Sequence, residues 1–264
     1  MRRVKTKSTP RLRLDALRRF AAMLIAASGA RPERAAALAT HLLWFEAAGA
    51  PDHGIARLPD LLDQIARGQI DPKAEGKVGP ERAATAVLDG HNGVPESILA
   101  RAAAIASEKA REYGSGLVRV KGIGAAGPAA PIVADIAIGP MIAMALGPDG
   151  AWSVALPAPE GPPLLADSAL GSDHEALAGL VPWTPLTAHG EWIVQALSVI
   201  ALEPLAGFHE RVTEAAKAAS NSVLRPEMLE AVRRDAREHG VELSEATQSS
   251  LREWARRLGV EDVF

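Results

Sequence analysis

A layered α/β fold is predicted by three observations. Short strand-like apolar runs alternate with helical segments between residues 83 and 156. Both ends of the chain carry amphipathic helical periodicity, and Gly or Pro stands where those elements should start and stop. At 264 residues the chain can bury a sizeable core, as one large domain or two interlocked ones.

Taken in order, residues 12–29 read as a helix, with Leu14, Leu17, Phe20, Ala21, Leu24 and Ile25 near helical spacing and Gly29 as a stop. A second helix is predicted from Pro32 to about Ala48, with Pro32 in its first turn and Gly49 after its end. A loop from Ala50 then leads into a short helix that ends at Gly68. Residues 83–89 read as a strand closed by an Asp89-Gly90 turn, and 96–112 as a helix. Strands are predicted at 116–121, 140–146 and 153–156, with an Ala-rich helix over 125–138 despite Pro128 and Pro131. Residues 147–190 are rich in Gly and Pro and read as loops around the last of those strands. The final third is predicted helical at 189–202, 208–221, 226–239 and 244–258, the last with Ser244 as N-cap and Gly259 beyond its end.

Composition narrows the function. A net charge of −3 gives no global attraction to nucleic acid, and aromatic residues at 4% leave little for base stacking. With no cysteine there is no disulfide, thiolate metal site or thiol nucleophile. The basic start, with Arg2, Arg3, Lys5 and Lys7, is not followed by the apolar core of a signal peptide and reads as a solvated terminus. No run approaches the roughly 18 uncharged apolar residues of a membrane span. The expectation is a soluble cytoplasmic protein that binds neither membrane nor nucleic acid.

The sharpest constellation of reactive groups is Asp52-His53-Gly54-Ile55-Ala56-Arg57. An imidazole exchanges a proton with a carbonyl or alcohol oxygen near neutral pH, and a guanidinium grips a carboxylate through two parallel hydrogen bonds. Together they suit a 2-oxo or 2-hydroxy acid. The same six residues also fit a helix-capping histidine and an arginine paired with Asp52 or Asp60. His91 reads as a turn residue, His174 and His189 lie in the loop-rich stretch, and His209 and His239 sit on helices. None has metal-ligand spacing, so no metal is expected. The Gly122–Gly127 stretch, GIGAAG, follows a strand, but no acidic residue closes a next strand as a Rossmann unit requires. Gly-Ser-Gly at 114–116 lacks the spacing of a nucleophile elbow.

The order of four segments carries a resemblance. HLLWFEAAGAPDHGIARLPDLLDQIARGQIDP is similar to a helix leading into a Ser-His-Gly-x-x-Arg loop and a short helix. The stretch from AATAVLDGHNG to GLVRVKG matches an Asp-Gly turn, long helix and strand; LPAPEGPPLLADSAL and the closing RPEMLEAVRRDAREHGVELSEATQSSLREWARRLGV follow in the expected order. In these the chain resembles the malate/L-lactate dehydrogenase family of NAD(P)-dependent oxidoreductases. The resemblance implies a mixed α/β fold that is not a Rossmann fold, a homodimer, NAD or NADP as cofactor, and a small carboxylate substrate. It divides the chain into a helical part with the substrate loop (1–115), a shortened α/β cofactor-type domain (116–205) and closing helices that pack back on the first part (206–264).

Carried over position by position, His53 matches the family's active-site histidine and Arg57 its substrate-carboxylate arginine. Asp52 stands at the substrate-binding position where the family has serine. Gly124 and Gly127 match the end of the loop that bears a second active-site histidine in the family; here that histidine is missing. Asp167 matches the aspartate of the Leu-Asp core near the cofactor. The family's Gly-Thr-Asn-Pro segment appears as Pro148-Asp149-Gly150-Ala151, and much of the Gly-rich stretch after Asp167 is absent. Two functions follow. One is an oxidoreductase on a small 2-hydroxy, 2-oxo or imino acid, impaired by these losses; the other is an inactive homologue retained as a binding or dimeric interaction protein.

Overall fold

The computed structural model describes residues 11–172, 191–218 and 224–264. Along the chain the helices are α1 (Leu14–Ala27), α2 (Pro32–Ala47), α3 (Leu58–Ala66), α4 (Pro95–Tyr113), α5 (Ala130–Ile136), α6 (Leu205–Ala218), α7 (Pro226–His239) and α8 (Glu245–Leu258). The strands are β1 (Lys77–Arg82), β2 (Thr85–Asp89), β3 (Ser115–Lys121), β4 (Met141–Leu146), β5 (Trp152–Leu156), β6 (Leu164–Asp167) and β7 (Trp192–Ser198). The chain divides into two compact units, one of residues 1–67 with 232–264 and one of 68–231. The divisions expected at 115/116 and 205/206 both lie inside the second unit. The basic residues before Pro10, with His174 and His189, lie outside the described residues.

The first unit is helical. The apolar stripe of α1 is buried as its spacing predicts, with Leu17, Phe20, Ala21, Leu24 and Ile25 all within the core. Backbone hydrogen bonds between Leu12 and Val241 tie the start of α1 to the chain beyond α7. At the other end, Phe264 meets Phe20 edge-on, with ring centroids 5.5 Å apart. Ser244 caps α8 by accepting a hydrogen bond from the Thr247 amide at 3.1 Å, and Gly259 ends it in the left-handed region.

The second unit is built on a mixed seven-stranded sheet of order β1-β2-β3-β7-β4-β5-β6. Only β2 and β3 run parallel, joined through α4; the other neighbours are antiparallel. This is mixed α/β without the run of parallel strands of a Rossmann sheet. The register lines up Gly116, Ala196, Ala143, Ala155 and Leu165 on one face. That row is nearly all small residues, and the Gly116 backbone lies hard against the Ala106 carbonyl of α4. On the opposite face α6 places Phe208 and Val212 over Ile142, Met144, Val154 and Leu164.

Four elements differ from expectation. Residues 192–198 are the strand β7, not part of a helix over 189–202. Their burial alternates with period two, Trp192, Val194, Ala196 and Ser198 facing in, and the strand lies at the sheet's centre. The Ala-rich helix shrinks to α5, because an irregular stretch after Lys121 occupies the residues before Ala130. Residues 164–167 form β6 within the stretch read as loops, and β1 pairs with β2 where no strand was expected. Among the described residues no helix is long and apolar enough to cross a membrane.

Candidate active site

Two consecutive 3-10 turns present the Asp52–Arg57 segment in the first unit. Pro51 opens the first, which ends at His53; the second runs from Ile55 to Arg57 and continues into α3. Gly54 separates them with φ −95° and ψ −131°, outside both the helical and the extended regions. Backbone hydrogen bonds from His53 to Ala50, Gly54 to Pro51 and Arg57 to Gly54 close the turns at 3.0–3.1 Å. His53 and Arg57 are half-buried, while Asp52 and Ala56 are exposed. The two side chains therefore belong to one continuous, internally bonded loop rather than to one helix face.

The last turn of α2 holds this loop from below. The Phe45 ring lies against the His53 imidazole at 5.9 Å between centroids, and its carbonyl accepts from the Ala50 amide at 2.9 Å. Glu46 is only 6% exposed, and its Oε1 accepts from the Ile55 amide at 2.9 Å. A Cβ on Gly54 would lie 2.5 Å from that oxygen and 3.0 Å from the Leu42 carbonyl, so glycine lets the loop sit this close. Burial pushes the Glu46 carboxyl up from 4.5 to about 7; the Ile55 hydrogen bond works against this, and the charge of Asp52 adds to it.

The consequence for stability has a definite sign. Because the folded state binds the Glu46 proton more tightly, the stabilisation is complete below 4.5 and is lost as pH rises through about 7. Glu46→Gln, which keeps an acceptor for Ile55 without the charge, is expected to match the wild type in acid. In mild alkali it should be the more stable by roughly 2–3 kcal/mol. Urea unfolding at a series of pH values measures this; parallel curves for the two proteins would contradict it.

Glu46 is the residue that motif reading missed. Its signal is present in the sequence: Leu38 and Leu42 put position 46 on the buried stripe of α2, so an acidic residue there is a carboxylate inside the protein.

The remaining predicted positions lie in the second unit. Gly124 is exposed, with no atom within 4 Å of where a Cβ would stand. Gly127 is buried, and its amide donates to Glu96 Oε1 on α4 at 3.1 Å. Asp167 is 1% exposed; Oδ2 accepts from the Ser153 hydroxyl at 2.5 Å and Oδ1 from the Ala169 amide at 2.8 Å. Gly124 thus faces open space, whereas Gly127 and Asp167 already use their polar groups to tie a loop to α4 and β5 to β6. The second unit also has a cleft of about 420 Å³ floored by Leu164 and Val212 and edged by Glu160, Lys217 and Glu227. None of the predicted site residues lines it. Among the described residues no cluster of His, Asp or Glu is placed to hold a metal.

A sequence profile described as malate/L-lactate dehydrogenase matches residues 12–161, which spans both the His53–Arg57 loop and the Gly122–Gly127 stretch. The chain belongs to the malate/L-lactate dehydrogenase family. Its relatives include the Δ1-pyrroline-2-carboxylate/Δ1-piperideine-2-carboxylate reductase of Pseudomonas syringae pv. tomato, 34% identical over 118 residues, which is 45% of this chain and 33% of that protein. Another is the L-sulfolactate dehydrogenase of Methanocaldococcus jannaschii, 30% identical over 118 residues, 45% of this chain and 32% of that protein. The matched sequence therefore spans about a third of these curated relatives. The fold match is wider: the malate dehydrogenase structure from Entamoeba histolytica superposes with a TM-score of 0.80 at 17% identity, covering 97% of this chain and 100% of that one. Relatives named for a hydroxy acid and for cyclic imino acids are thus both among the proteins this chain resembles.

Proposed function

We propose that the chain is an NAD(P)-dependent oxidoreductase of a small 2-oxo or 2-hydroxy acid, or of a cyclic imino acid, acting as a homodimer in the cytoplasm. The observation that carries this reading is the loop itself: His53 and Arg57 close two successive turns that α2 holds in place, within the segment matched by the family profile. In this reading Arg57 grips the substrate carboxylate through paired charge-assisted hydrogen bonds. His53 gives a proton to the oxygen or nitrogen of the bond being reduced and takes it back in the reverse direction. A nicotinamide nucleotide, when bound, supplies or accepts the hydride. Asp52, exposed beside His53, repels a second negative charge and so favours substrates with one carboxylate.

One set of observations favours the second reading, a non-catalytic binding homologue. The Gly127 amide and both Asp167 oxygens already have partners inside the protein, and a carboxylate stands at 52 where the family has a hydroxyl. Fluorescence titration with NADH and NADPH separates the two, followed by consumption assays with pyruvate, oxaloacetate and Δ1-piperideine-2-carboxylate. Saturable cofactor binding with turnover of any of these supports the oxidoreductase. Failure to bind either nucleotide leaves the binding homologue.

A further inference from the structure

The two turns that carry His53 and Arg57 meet at Gly54-Ile55, and that junction rests on one side chain. Glu46 reaches it from the end of α2, with Oε1 on the Ile55 amide at 2.9 Å and the Gly54 Cα pressed so close that no Cβ would fit. The neighbouring Phe45 supports the first turn only, through the His53 ring and the Ala50 amide. The Ile55 amide is the first donor of the second turn, the one that ends at Arg57. Among the described residues the Glu46 carboxyl makes one hydrogen bond, and it is this one.

We propose that Glu46 is a positioning residue: by holding the Ile55 amide beneath Gly54, it fixes the placement of the His53 turn relative to the Arg57 turn. Its catalytic value rests on the oxidoreductase reading, but the geometric claim holds whether or not the chain turns over a substrate. A carboxylate accepts an amide hydrogen bond about twice as strongly as a neutral group does. The junction is therefore held more firmly with Glu46 ionised than with it protonated. Asp52 on the first turn acts on its charge, and His53 and Arg57 belong to the same loop. From α1, packed along α2, Asp15, Arg18 and Arg19 point to solvent.

The test uses the full chain, labelled for NMR, with the Ile55 amide and the His53 ring followed across neutral pH. In the wild type the Ile55 amide should shift with a midpoint near 7, following Glu46. In Glu46→Gln the amide should stay hydrogen-bonded and its shift should be flat. In Glu46→Leu it should lose protection from exchange, and the His53 ring should move. For the active protein, Glu46→Gln should remove an inflection near neutrality from the pH profile of kcat/KM. Glu46→Leu should lower kcat/KM by roughly 10²-fold, the scale of a misplacement of about 1 Å. Should Glu46→Leu fail to fold, Glu46→Gln decides alone. An Ile55 amide that does not titrate, or that titrates alike in Glu46→Gln, overturns the proposal. A titrating amide in a protein that binds no cofactor leaves the positioning role intact and removes the oxidoreductase.

Discussion

Asparagine in place of His53 is expected to lower kcat roughly 10²–10⁴-fold with little change in KM, the usual loss when a general acid is removed. Leucine in place of Arg57 is expected to raise KM instead, by roughly 10–100-fold, the worth of a charge-assisted hydrogen-bonded pair. The split follows from what the proposed oxidoreductase reading assigns to each group. The carboxylate carries its charge in the ground state and in the transition state alike, so its grip is uniform binding and appears in KM. The proton moves only as the hydride moves, so the imidazole contributes to the transition state alone. Asparagine keeps much of the shape that packs on Phe45, so the loop should persist. Steady-state kinetics with the best substrate reads both constants. Equal losses in kcat for the two variants would mean that the pair does not divide the work, and an unchanged kcat in His53→Asn would remove the proton-transfer role.

How much of this was legible follows from how local each determinant is. The stripe of α1, the Ser244 cap and Gly259 are set within a turn or two of chain, and they stand where the pattern puts them. The His53–Arg57 segment was legible as a motif and position 46 as a buried one on α2, yet the contact between them was not, because Glu46 reaches Ile55 across nine positions through a loop whose path periodicity does not describe. The β7 strand was hidden for a different reason. Seven residues of Trp, Ile, Val, Gln, Ala, Leu and Ser suit either a helix or a strand, and only central placement between β3 and β4 decides it. For Gly127 the deciding partner, Glu96, is 31 residues away on α4. A glycine that resembles a nucleotide contact in sequence is, in the structure, a fixed point of the loop. Long-range partners separate a motif from a working site, and those are what a linear reading lacks.

Gly116→Ala should be the most damaging small substitution in the second unit, costing roughly 3 kcal/mol or more, the upper end of what overpacking does. Its Cβ would stand 1.9 Å from the Ala106 carbonyl oxygen, 2.8 Å from that carbonyl carbon and 2.9 Å from Lys109 Cβ. Two of these atoms belong to helix backbone, so no rotamer change relieves the clash; α4 or β3 must move. Neither is loose. The buried Lys109 ammonium donates to Glu81 and to the Ala83 carbonyl, both at 2.7 Å, and Arg101 donates to the Gly76 carbonyl at 2.9 Å, pinning α4 across β1 and the chain leading into it. On the other side β3 is paired to β2 and β7 along its length. Gly114→Ala, two residues earlier, is the internal control. Its φ of +80° makes a side chain unfavourable, but the nearest atom is the Ala201 methyl at 3.2 Å, so about 1–2 kcal/mol is expected. The Gly-Ser-Gly motif thus holds two glycines for two reasons, one conformational and one steric. Urea unfolding of both variants ranks them: equal losses would mean that the close approach of α4 to β3 carries no weight beyond backbone strain.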